Sequence, residues 1–70
     1  MTKEEKIRFL KQSFSVLEGL TRDINQKMAY AKEGVEENKA NLIIGGLADI
    51  DKAALHLKSV YETMLFMHRN

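Results

Sequence analysis

Residues 7–31 read IRFLKQSFSVLEGLTRDINQKMAYA, and their apolar side chains recur at alternating steps of three and four residues. This spacing places one apolar stripe on an α-helix and is the seam pattern of paired helices, with Thr21 as its one polar member. The pattern predicts a first helix over about residues 3–33, starting after Thr2, which matches a capping box with Glu5. Its predicted core seam is formed by Ile7, Leu10, Phe14, Leu17, Ile24 and Met28.

The second half of the chain repeats this rhythm. Apolar residues between positions 43 and 68 again alternate steps of four and three, which predicts a second helix over about residues 39–68. No useful length of chain alternates apolar and polar residues with the period of two that marks a strand. The predicted core seam of this helix is formed by Ile43, Leu47, Ile50, Leu57, Val60 and Met64.

Two positions compete for the turn between the helices. Gly34 fits the glycine that often follows the end of a helix, and it gives arms of nearly equal length with a turn over about residues 34–38. An asparagine, Asn38 or Asn41, would then cap the second helix. The alternative is Gly45-Gly46, because paired glycines favour turns. We favour Gly34, which leaves the glycine pair inside the second helix at a cost of about 1 kcal/mol for each glycine relative to alanine.

The predicted fold is all-α: one antiparallel helical-hairpin domain over residues 1–70. A chain of this length buries only about 60% of its unfolded surface, and such chains usually need a disulfide, a metal or a second chain for stability. The sequence has no cysteine, so we expect a homodimeric four-helix bundle or a hairpin that is completed by the helices of a partner. A second apolar ridge beside the seam is the predicted interface, formed by Phe9, Val16, Leu20, Tyr30, Leu55, Phe66 and Met67.

The titratable and nucleophilic residues lack the spacing of catalytic or metal-binding sites. Neither His56 nor His68 has a carboxylate or a histidine three or four residues before it, which is the spacing of helical metal sites. Gly45-Gly46 lacks the lysine and hydroxyl residues of a phosphate-binding loop, and no serine lies in a nucleophile elbow. We therefore expect no enzymatic activity, no cofactor and no metal.

The charge balance and the apolar ridges favour binding to protein. Eleven basic and ten acidic residues give a net charge of +1, which provides no strong attraction to nucleic acid or to acidic membranes. No apolar run is long enough to span a bilayer, and the charged start has no signal-peptide core. We expect a cytoplasmic regulator, inhibitor or chaperone-like adaptor that binds itself and another protein through an apolar helical face.

Two other functions stay open. A dimer would double the basic side chains at the start of the first helix, and these could contact nucleic acid with a steep dependence on salt. The residues of that candidate site are Lys3, Lys6, Arg8 and Lys11. Alternatively, the interface between protomers could hold a small ligand near Gly45-Gly46, Asn38 and Asn41, and the ligand would then raise the melting temperature.

Overall fold

The computed structural model describes residues 2–69 and consists of two helices. Helix α1 spans Lys3–Glu36 and helix α2 spans Ala40–Arg69. They pack against each other along their length as a hairpin that measures 53 × 15 × 10 Å between Cα atoms, and the described part of the chain contains no strand. The predicted all-α helical hairpin is confirmed, whereas assembly into a dimeric bundle stays a prediction.

Hydrogen bonds fasten the open end of the hairpin, where α1 begins and α2 ends. The Thr2 hydroxyl oxygen accepts a hydrogen bond from the backbone N–H of Glu5 at 3.1 Å, so Thr2 caps α1 as the sequence predicts. Lys6 Nζ donates to the backbone carbonyl of His68 at 2.8 Å, which satisfies one of the carbonyls left free at a helix C-terminus. The second contact ties the beginning of α1 to the end of α2.

The turn between the helices is built by Asn38, which has a φ of 55°. This is the left-handed region, which residues other than glycine and asparagine seldom adopt. The Asn38 N–H donates to the Val35 carbonyl at 3.3 Å and the Lys39 N–H donates to the Gly34 carbonyl at 2.7 Å, which together form a Schellman motif. The connection, residues 37–39, overlaps the favoured range 34–38 and leaves arms of similar length, 34 and 30 residues, with Gly45-Gly46 inside α2. Gly34 itself lies inside α1 and does not end it.

Asn38→Ala should lower the free energy of unfolding by about 1 kcal/mol, because alanine carries the steric cost of a left-handed backbone. Asn38→Gly is the matched control: glycine adopts this conformation freely, so this variant should be as stable as the unmutated protein or more stable. Urea unfolding at one fixed protein concentration, followed by circular dichroism, measures both. Equal losses for the two variants would mean that the side chain of Asn38, and not its backbone, stabilises the turn.

The seam between α1 and α2 differs from the predicted one at three of six positions on α1 and at one of six on α2. Ser13 occupies the place predicted for Phe14, and Gly46 occupies the place predicted for Leu47, one residue earlier in each case. The predicted seam residues that lie in the observed seam are Leu10, Leu17, Ile24, Ile43, Ile50, Leu57, Val60 and Met64. The structure places the other four beside the seam and exposed; they are Ile7, Phe14, Met28 and Leu47.

Small side chains determine which positions face the other helix. Where they lie opposite each other, the helix axes can approach closely, and large side chains are displaced to the flanks. The Ser13 hydroxyl donates to the Phe9 carbonyl at 2.9 Å, so its burial leaves no donor unsatisfied. The buried residues of α1 and α2 are Ser13, Gly34, Gly46, Ala53 and Met64.

Two glycines are required where the backbones come closest. A Cβ on Gly46 would lie 3.1 Å from the carbonyl oxygen of Lys27 and 3.1 Å from the Cβ of Ala31. A Cβ on Gly34 would lie 2.8 Å from the Cβ of Leu42. The contact at Gly34 is shorter than a side chain tolerates, and those at Gly46 are tight enough that the neighbouring backbone of α1 would have to shift, so the close packing of the hairpin benefits from the missing Cβ atoms.

Candidate protein-binding face

Large apolar residues that the seam excludes form a line along one broad side of the hairpin. They recur every seven residues on each helix, and this spacing keeps them on one side of two paired helices. Phe14 and Leu47 are each 56% exposed, and Val35 is 66% exposed. We call this surface the apolar face. Its members are Ile7, Phe14, Thr21, Met28 and Val35 of α1 and Leu47, Ala54, Tyr61 and the neighbouring Leu65 of α2.

The apolar face contains a groove near the open end of the hairpin. Phe14 on α1 and Tyr61 on α2 flank it, and seam residues form its floor. Its wall is apolar apart from the Tyr61 hydroxyl and His68, so water in it finds few hydrogen-bond partners and is favourably replaced by an apolar side chain. The groove is lined by Leu10, Phe14, Leu17, Tyr61, Met64, Leu65 and His68.

The opposite broad side carries charges, and we call it the charged face. Lys27 Nζ lies 3.9 Å from Asp49 Oδ2 and 5.5 Å from the centroid of the Tyr30 ring. Such a partly exposed ion pair contributes at most about 1 kcal/mol, and a helix packed over it would have to desolvate both charges. This side is therefore a poorer surface for apolar packing. The polar residues that line its central part are Asp23, Lys27, Asp49, Lys52 and His56.

The four predicted interface residues of α1 lie along the charged side of the hairpin. Phe9 and Leu20 are half-buried; Phe9 shares a cleft with Val16 and His56, and Leu20 shares one with His56. Val16 and Tyr30 are exposed, and Tyr30 shares a cleft with Asp49. Met67 of α2 is half-buried at the edge of the seam.

The remaining two predicted interface residues, Leu55 and Phe66, are exposed on the outer side of α2. Sequence reasoning missed the apolar face because it assigned the residues of that face to the seam. A signal was present: apolar residues occupy three positions of each seven-residue repeat and not two, which is typical of helices that pack against more than one neighbour.

The basic side chains predicted to contact nucleic acid do not form a stripe. At 100° per residue they spread over about half of the circumference of α1, and two glutamates lie among them. Lys6 is hydrogen-bonded to the end of α2. A continuous row of positive charge, which phosphate backbones favour, is therefore lacking among Lys3, Lys6, Arg8 and Lys11.

The predicted small-ligand position lies along an open cleft on the charged side of the hairpin. Asn38 lies instead in the turn, so the residues proposed for this site are brought together only in part. The cleft itself is lined by Lys27, Tyr30, Asn41, Leu42, Gly45, Gly46 and Asp49.

Among residues 2–69, no group of three or more histidine, aspartate or glutamate side chains is placed to hold a metal ion. Neither helix combines the length and the apolar character that crossing a membrane requires. The expectations that the protein is not an enzyme, has no cofactor and is cytoplasmic stay predictions.

No protein-family model matches the chain, and neither a curated protein nor a solved structure matches it. The physical properties of the apolar face are therefore the basis for a functional proposal.

Proposed function

We propose that the protein is a non-enzymatic protein–protein interaction module, acting as a regulator, inhibitor or chaperone-like adaptor, whose apolar face binds helices of another polypeptide. The exposure of that face carries the proposal, because exposed apolar patches larger than a few hundred Å² mark interaction sites on soluble proteins. The broad side of the hairpin measures 53 × 15 Å between Cα atoms, which is long and wide enough for two further helices to pack along it.

The small core of the hairpin supports the proposal energetically. Among the described residues, the buried hydrophobic side chains are Ala53 and Met64, and no large side chain is fully buried. Two helices bury only the stripe along which they touch, so a further layer has to cover the rest of the apolar surface. Burial of one Phe, Leu or Met side chain contributes about 1.5–3 kcal/mol, so a covering layer stabilises the fold and the complex together.

A second copy of the hairpin is the simplest covering layer, and it gives the dimeric four-helix bundle that the sequence predicts. A two-fold axis buries the same face on both copies, so each apolar face is covered by the other. Helices of a different protein would use the same surface and would compete with the second copy for it. This competition is the physical mode in which such a dimer acts as a regulator.

Site-specific photo-crosslinking in the cells that produce the protein tests the proposal. A benzophenone amino acid in place of Phe14 should form covalent adducts with a polypeptide on irradiation. The matched control carries the same group in place of Gln12, which is exposed on nearly the opposite side of α1, and should form few adducts. Mass spectrometry of the adducts then distinguishes a second copy from another protein. Equal yields at the two positions, or no polypeptide adduct at Phe14, would contradict the proposal.

A further inference from the structure

We infer that the second copy binds the apolar face head to tail, with the open end of one hairpin over the turn end of the other. The inference rests on the proposed function and adds the orientation of the partner. A two-fold axis in the plane of the interface can run along the hairpin or across it. An axis along the hairpin brings like ends together and stacks α1 on α2 of the second copy. An axis across it brings unlike ends together and stacks each helix on its own counterpart.

The charges at the two ends of the hairpin favour the head-to-tail arrangement, in which the open end of one copy lies over the turn end of the other. The open end, residues 2–11 and 58–69, has six basic and three acidic side chains, leaving histidine aside, whereas the turn end over the same number of residues, 27–48, has three of each. With like ends together, the positive excess of two open ends would be concentrated in one place. Charge complementarity of this kind determines orientation even where each exposed pair contributes little affinity.

The register of the apolar face fits a two-fold axis that crosses it at its centre. Large residues lie symmetrically about a small one on both helices: Phe14 and Met28 are each seven residues from Thr21, and Leu47 and Tyr61 are each seven from Ala54. In the head-to-tail arrangement Phe14 therefore packs on Met28 of the second copy, and Leu47 packs on Tyr61.

Thr21 and Ala54, the centres of the two symmetric rows, lie at the same height along the hairpin. A single two-fold axis that crosses both helices requires this. Lys27 lies beside Asp49, and counting six residues from this pair toward the open end along both helices brings Thr21 level with Leu55, next to Ala54. The Thr21 hydroxyl donates to the Leu17 carbonyl at 2.9 Å, so its burial at the axis leaves no donor unsatisfied.

Exposed apolar residues on the outer edge of α2 also fit the head-to-tail arrangement. Ile44 is 67% exposed and Leu65 is 48% exposed. In the head-to-tail register, Ile44 of one copy lies opposite Leu65 of the second copy, and Leu65 lies opposite Ile44 of the second copy. The same register sets Asp51 opposite Lys58. With like ends together, Ile44 and Leu65 would instead lie opposite lysines of α1. The head-to-tail arrangement does bring Lys11 level with Lys32 of the second copy, but both are long, exposed side chains that can turn into water at small cost.

Single cysteines test the orientation, because the unmutated chain has none. In the head-to-tail dimer the two copies of residue 21 meet at the axis, within the Cα separation of about 7 Å that a disulfide spans. Thr21→Cys should therefore shift most of the protein to a covalent dimer under mild oxidation, and Ala54→Cys should do the same. Gln12→Cys, on nearly the opposite side of α1, is the control and should stay uncrosslinked.

A dimer with like ends together would give a different pattern of disulfide crosslinks. Neither single variant would crosslink with itself, and an equimolar mixture of Thr21→Cys and Ala54→Cys would form the disulfide instead. That pattern, in protein that sedimentation shows to be dimeric, would overturn the inferred orientation and leave the proposed function intact. A monomeric unmutated protein would also overturn the inference, and the photo-crosslinking at Phe14 would then decide separately whether the face binds another protein.

Discussion

Gly46→Ala should lower the free energy of unfolding by about 1–3 kcal/mol, although alanine is the better helix former by about 1 kcal/mol. An added Cβ would lie 3.1 Å from the Lys27 carbonyl oxygen and 3.3 Å from the backbone nitrogen of Ala31. Both atoms belong to the backbone of α1, so the overlap is relieved only if the helices move apart. Such a movement would loosen the close-packed seam on both sides of the substitution.

The adjacent glycine is the matched control and should respond in the opposite direction. No atom lies within 4 Å of a Cβ built on Gly45, so Gly45→Ala should raise the free energy of unfolding by about 0.5–1 kcal/mol through helix propensity alone. Urea unfolding of both variants at one protein concentration, followed by circular dichroism, gives the comparison. Stabilisation of both variants would mean that α1 and α2 do not approach closely at Gly46.

Phe14→Asp should dissociate the dimer and leave most of the helix content intact. Phe14 is 56% exposed in the hairpin, so burial of its remaining surface against a second copy contributes about half of the value for a whole side chain, or about 0.8–1.7 kcal/mol. The two-fold axis doubles this contribution to about 1.6–3.4 kcal/mol, so the dissociation constant should rise by on the order of 10–300-fold. Sedimentation equilibrium measures the mass, and circular dichroism of the same samples reports the helix content.

Val16→Asp is the control for this substitution. Val16 lies on the same helix two residues away and is 45% exposed, but it belongs to the charged face. The variant should keep the mass of the unmutated protein. It also separates the two candidate interfaces, because Val16 belongs to the interface expected from the sequence and Phe14 does not. Dissociation by Val16→Asp with a dimeric Phe14→Asp would mean that the charged face is the interface.

Hydrophobic spacing was sufficient to predict the helices but not which of their sides face each other. An apolar residue at three positions of each seven-residue repeat is compatible with two seams, and size favours the wrong one, because Phe14 and Leu47 contribute more apolar surface than Ser13 and Gly46. At Ser13 and Gly46 the observed seam uses the smaller residue, since it lets the backbones approach, whereas at Leu20, next to Thr21, it uses the larger one. The sizes of the side chains in the sequence therefore do not decide between the two seams on their own.

The turn shows a similar limit of sequence reasoning. Gly34 was expected to end α1, because glycine adopts the left-handed backbone without strain. In the structure Gly34 is needed for a different reason, the close approach of Leu42, and α1 continues to Glu36. Asn38 then takes the left-handed position, which asparagine tolerates better than most residues. A glycine near a helix end is explained equally well by a left-handed backbone and by close helix packing. The presence of Gly34 in the sequence therefore did not show which of the two roles it has.

Sedimentation equilibrium of the unmutated protein at micromolar concentration tests most directly whether a second copy covers the apolar face. The account predicts a mass of twice the 8.0 kDa of one chain, with dissociation only on dilution. A mass of 8.0 kDa at every concentration, from protein whose circular dichroism shows full helix content, would mean that the hairpin is stable with its apolar face in water, and it would contradict the account.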